Sequence, residues 1–150
     1  METESLIGRV LDSVLVYPCG PVHPAWADDS TPSINSWKVF LTFSDGTVCN
    51  IEPCEVELSE ERYPSLGLRI EEYRNESTDS VQSDGSVIKT VSVKEANELL
   101  PQVVTRVQES DPLEEGAISQ YTFTIGNSAS IVIRHIMPPM TLGVLVSNAG

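Results

Sequence analysis

The residues able to carry bond-making chemistry are few. Two histidines, His23 and His135, and three cysteines, Cys19, Cys49 and Cys54, are the whole supply of imidazole and thiol in 150 residues. A nucleophile needs a base within hydrogen-bond reach. His23 follows Cys19 at short range, but Pro18, Pro21 and Pro24 keep that stretch out of a helix, so the spacing gathers nothing on one face. His135 alternates in step with Ile131 and Ile133, which places it on or beside an apolar face. Cys49 and Cys54 lack the spacing of a zinc knuckle, and no second Cys or His pair follows them. The adjacent Asp28 and Asp29 read as a solvated turn before they read as a metal site. No glycine-rich phosphate loop occurs. The expectation is therefore no catalytic residue, no metal and no cofactor.

Charge is the stronger signal. The formal net charge is -13, and residues 45–115 carry most of it, about -11, against about +1 for 116–150. Such a surface repels nucleic acid and anionic lipid and steers a basic protein toward itself, although acidity also serves plain solubility. The candidate partner-binding residues are Trp26, Asp28 and Asp29 in the proline-rich stretch 18–36; Glu55, Glu57, Glu60 and Glu61; Glu71 and Glu72; and Glu109, Asp111, Glu114 and Glu115. The opening METESL lacks the pattern of a secretory signal, and no apolar run reaches the ~20 residues of a membrane helix, so a cytoplasmic protein with free thiols is expected.

The elements that must position these residues are mostly strands. Residues 117–147 contain no Asp or Glu and a single Arg, as the interior of a sheet would. Tyr121, Phe123 and Ile125 alternate with polar residues, as do Ala129, Ile131 and Ile133. Only a three-residue loop at Gly126-Asn127-Ser128 puts both sets on one face, pairing Ile125 with Ala129, Phe123 with Ile131 and Tyr121 with Ile133. The same parity argument over residues 37–53 sets a Ser44-Asp45-Gly46 turn and pairs Leu41 with Cys49 and Val39 with Ile51. Leu142 to Val146 reads as a last strand beyond the Met137-Pro138-Pro139-Met140 break.

Leu6 to Tyr17 fits either a helical stripe or a strand bulged near Gly8; we read a strand ended by Pro18. Leu68 to Arg74 reads as a strand and 75–85 as a mobile loop whose Asn75-Glu76-Ser77 sequon carries no weight without an export signal. Ser86 to Val93 is strand-like, and Ser92 with Glu95 has the spacing of a capping box for a short helix over 93–100. Val103 to Gln108 completes the set, followed by an acidic turn over 109–116. The chain thus reads as one domain, 1–150, of the α+β class, mainly antiparallel β, with seven or eight strands in a sandwich or strongly curled sheet and one or two short helices.

The acidic domain, the opening LIGRVLDSVLV, the hairpin WKVFLTFSDGTVCNIEP and the closing RHIMPPMTLG resemble the small bacterial immunity proteins that accompany polymorphic toxins. The resemblance implies a non-enzymatic protein that binds a cognate toxin, a basic domain for preference, and blocks it. Two other readings stand beside it. One is a small-molecule-binding β domain with a pocket between the sheet and the 18–36 loop, lined by Trp26, Trp37, Tyr121 and His135. The other is an oligomerising module.

Overall fold

A computed structural model describes residues 1–18, 34–60, 63–74, 78–136 and 140–148. Eight long strands carry the architecture: β1 (Val10–Pro18), β2 (Ile34–Phe43), β3 (Thr47–Val56), β4 (Ser65–Arg74), β8 (Gln102–Ser110), β9 (Gln120–Ile125), β10 (Ala129–Ile136) and β11 (Thr141–Asn148). Three two-residue strands, β5 (Ser80–Val81), β6 (Val87–Ile88) and β7 (Val91–Ser92), and one short helix, α1 (Lys94–Asn97), lie between β4 and β8. A 3-10 turn at Thr3–Leu6 precedes β1.

The expected sandwich or curled sheet proves to be a closed ring. In the main sheet the order runs β4-β3-β2-β11-β10-β9-β8-β1-β7, and β1 pairs in addition with β2. Six antiparallel strands, β1, β2, β11, β10, β9 and β8, thereby close into a barrel. β2 makes this possible because it is long. One edge pairs with β1 from Ser36 to Phe43, while the other is shared: Ile34 to Ser36 meet β11, and Val39 to Thr42 meet β3. The β3–β4 hairpin therefore hangs beside the barrel and turns Cys49, Ile51, Leu68 and Ile70 into the same core.

Both hairpin registers follow from side-chain parity. Ile125 faces Ala129, Phe123 faces Ile131 and Tyr121 faces Ile133. Val39 faces Ile51 and Leu41 faces Cys49, with Gly46 at φ +88 in the turn, a conformation that an L side chain rarely adopts. Phe123, Ile131, Ile133 and Leu142 are fully buried, as the alternation requires.

Closure needs strong local twist, and three bulges supply it. Pairing skips Asp12 in β1, Trp37 in β2 and Thr105 in β8. The Asp12 bulge lets Leu11 and Val14, three residues apart, both point inward. That spacing is what made the segment look half helical, and the bulge lies there rather than at Gly8. Gly8, at φ +92, instead joins the 3-10 turn to β1 and donates its N–H to Val104 O at 2.8 Å.

Two further local readings differ. The stretch read as a mobile loop contains β5, which pairs with β6 around a turn closed by Gly85 N–H to Gln82 O at 3.0 Å. The helix is one turn long, its N-cap is Val93, and no side-chain cap bond forms, so the Ser92–Glu95 capping box is absent. Ala96 nonetheless packs in the core, and Asn97 accepts the Val14 N–H at 2.8 Å, tying the helix to β1.

Candidate protein-binding surface

The acidic stretches do not behave alike. Glu72, on β4, accepts from Arg9 at 2.8 Å, and this ion pair raises the Arg9 guanidinium pKa further. Glu71 accepts from the Tyr73 hydroxyl and lies 3.6 Å from Arg69 Nε. Both are engaged within the sheet. Tyr73 holds its proton more tightly than a free tyrosine does, chiefly because of that bond to Glu71.

The turn after β8 is built on two other acids. Asp111 accepts the N–H of Gly116 at 2.7 Å and of Glu115 at 3.2 Å, and the Ser119 hydroxyl at 3.5 Å. Glu115 reaches across to β4, where its Oε1 accepts the Leu66 N–H at 3.1 Å and its backbone carbonyl accepts the Ser65 hydroxyl at 2.7 Å. Glu109 accepts from the Thr3 hydroxyl at 2.7 Å and lines an open cavity of about 430 Å³ together with Met1, Glu2, Thr3, Glu4 and Val107.

This bonding brings two of the acidic stretches together. β4 docks on the segment after the turn, with Leu68 N–H donating to Ile118 O at 2.8 Å. Gly67 permits the approach, because a Cβ there would stand 3.2 Å from Ile118 O and 3.0 Å from Val56 Cγ2. Leu58, in the β3–β4 connection, lies over Gly116, where an added Cβ would meet its Cδ1 at 2.8 Å. Glu55 near the end of β3, Glu57 and Glu60 on that connection and Glu114 on the facing turn are exposed, and none bonds to another group among the described residues. Tyr63 stands 91 % exposed at the end of the same connection, and Leu58 on it is exposed as well. The result is an acidic ridge that carries an aromatic and an aliphatic side chain. Trp26, Asp28, Asp29 and Glu61 lie outside the described residues.

Sequence reasoning missed Tyr63 and Leu58. The available signal was an aromatic beside Pro64 in a stretch without strand alternation, where no core face exists to receive it.

The three described residues among those named for a pocket do not assemble into one. Tyr121 and His135 are buried in the barrel, whereas Trp37 is the bulged residue of β2 and is 54 % exposed; Trp26 is outside the described residues. His135 is a strut. Its Nδ1 bonds the Gly67 carbonyl at 2.9 Å, which assigns the proton there, and its Nε2 accepts the Met140 N–H at 2.9 Å. Burial pushes the Cys49 thiol up to about 12, and it raises Cys54 as well. Neither is an activated nucleophile. Cys19 and His23 are outside the described residues. Among the described residues no three His, Cys, Asp or Glu side chains are grouped to hold a metal ion, and no helix is long and apolar enough to cross a membrane. No protein-family model matches the chain, and no curated protein and no solved structure matches it either.

Proposed function

We propose that this chain is a non-enzymatic protein-binding domain that docks a basic partner on the ridge formed by the β3–β4 connection and the β8–β9 turn. The observation that carries the reading is Tyr63, almost wholly exposed at the end of the connection that bears Glu57 and Glu60; these carboxylates, with those of Glu55 and Glu114, have no partner among the described residues. Exposed tyrosines at the centre of a patch are common anchors of protein interfaces, and carboxylates around them supply steering and register. Inhibition of a basic toxin domain in the cytoplasm, the role implied by the resemblance to immunity proteins, is the specific form we favour. His135 supports a non-catalytic reading of its own position, because both ring nitrogens are committed to backbone groups.

The test is affinity capture from the source cells at about 50 mM and about 500 mM salt, with captured proteins identified by mass spectrometry. A stoichiometric basic partner that is released by salt is expected, because exposed charge pairs are screened within about 10 Å at 0.1 M. Tyr63→Ala should then weaken that complex at least tenfold, and Glu55→Lys combined with Glu57→Lys should abolish it at low salt. A complex indifferent to salt and to all three substitutions refutes the ridge as the contact.

A further inference from the structure

Residues 1–7 join no strand, yet they run over the inner face of the barrel. Leu6 is fully buried in the core. Glu109 faces Tyr121 in the β8–β9 ladder as Val107 faces the buried Phe123, so its carboxylate lies on the inward side of β8, where it accepts from the Thr3 hydroxyl at 2.7 Å. Met1 reaches a third strand, with its Sδ 3.9 Å from Cys49 Sγ on β3. Cys49 is 0 % exposed and Met1 is 45 % exposed, so the thioether stands between that thiol and water.

The segment is held lightly. Its backbone bonds are local: Ser5 N–H to Glu2 O, Ile7 N–H to Glu4 O and Arg9 N–H to Leu6 O, each at 3.1 Å. Gly8 N–H to Val104 O at 2.8 Å is the first backbone tie to a strand. Before it, among the described residues, only the Thr3 hydroxyl and the weak sulfur contact bond residues 1–5 to another element. The open cavity of about 430 Å³ lies between this segment and β8, since its lining comes from residues 1–4 and from Val107 and Glu109. Glu2, Glu4 and Glu109 face that cavity with no Lys or Arg among its lining residues. Like charges push the two walls apart, and salt screens the push.

We propose that residues 1–5 are a strap that lifts from the folded barrel, anchored by Leu6 and the Gly8 bond, and that its lifting opens Cys49 to solvent. The Thr3–Glu109 bond holds the strap down and the three carboxylates drive it up, so access to Cys49 depends on ionic strength. The ring of strands stays closed meanwhile, because the bonds of Gly8 and Arg9 to Val104 lie beyond the moving residues. The inference rests on neither the ridge nor any partner for it.

Alkylation of Cys49 by iodoacetamide at pH 8 tests this, in the full chain carrying Cys19→Ser and Cys54→Ser and with mass spectrometry as the readout. The expected rate is nearly independent of urea up to about 1 M, whereas a thiol reached only by global unfolding would react about tenfold faster per molar urea. Thr3→Val, which keeps the shape and removes the bond, should speed alkylation at least about threefold. Glu2→Gln combined with Glu4→Gln should slow it at least about twofold at about 50 mM salt, and so should raising the salt to about 500 mM in the parent. Far-UV circular dichroism will verify that every variant keeps the fold. Alkylation that follows the global urea slope, that is absent without urea, or that is indifferent to both sets of substitutions overturns the proposal.

Discussion

His135→Leu separates a structural histidine from a chemical one. Leucine nearly matches the volume of the ring, so the substitution removes bonds without opening a large cavity. The Gly67 carbonyl loses its donor in a fully enclosed position, since His135 is 0 % exposed, and an orphaned buried polar group costs about 1–3 kcal/mol. The Met140 N–H loses its acceptor nearer the surface, where water can replace it, at about 0.5–1 kcal/mol. The sum is about 1.5–4 kcal/mol. For a chain of this size that corresponds to a fall in Tm of roughly 5–15 °C. Urea unfolding followed by far-UV circular dichroism measures the free energy, and a thermal scan measures Tm. His135→Gln, which can still offer one donor and one acceptor, should recover part of the loss. If His135→Leu is as stable as the parent, the two bonds are worth nothing and the strut argument fails; the histidine would then need a reason outside stability.

Alkaline pH should destabilise the fold through two buried acids. Burial raises Cys49 from 9.0 to about 12 and Tyr121 from 10.0 to about 12. Each folded pKa lies above the unfolded one, so the contribution is whole below pH 9 and is lost as pH climbs toward 12. At pH 10.5 the loss is about 2–3 kcal/mol relative to pH 8, at about 1.4 kcal/mol per unit per group. Urea unfolding at the two pH values measures it, and Cys49→Ala should remove most of it; equal stability at both pH values contradicts the burial of these groups. Asp111→Ala strips the acceptor from Glu115 and Gly116 N–H at the turn and should cost about 1–3 kcal/mol in the same assay, whereas Glu114→Ala on the same turn should cost under about 0.5 kcal/mol.

Where side-chain parity and turn length act together, the sequence was readable to the residue. The two hairpins at 34–56 and 120–136 show this, because a slip of one position would have turned Phe123 or Leu41 to water. Closure of the ring was not readable. β1 meets β8 through Val10 with Val103 and Leu11 with Gln102, and nothing local in either segment announces a partner some ninety residues away. The bulges at Asp12 and Trp37 hid further structure, since each shifts the alternation by one and moves a side chain off its expected face. The 75–85 stretch was misjudged on composition, its turn residues outnumbering the single valine that makes β5. At the ridge the acids were visible as a cluster, but which of them were spent internally depended on tertiary bonds such as Glu115 to Leu66. Tyr63 was not legible because a single aromatic outside any alternating run carries no periodic signal.

The narrow pairing between β1 and β8 also sets how the molecule comes apart. Beyond those two residue pairs, the seam holds through Gly8 N–H to Val104 O at 2.8 Å and Val104 N–H to Arg9 O at 2.9 Å. Every other neighbouring pair in the ring is joined either by a longer ladder or by a short local connection. Folding must bring these distant segments together after the hairpins exist, so the seam closes late, and in the native state it is the cheapest place to open. Opening there leaves the hairpins intact and unrolls the cylinder into a curved sheet whose new edges are β8 and the part of β1 before Val14 that β7 and the helix do not cover. The unpaired strand edges of that unrolled form, rather than the fully unfolded chain, are then the expected starting point for aggregation on storage.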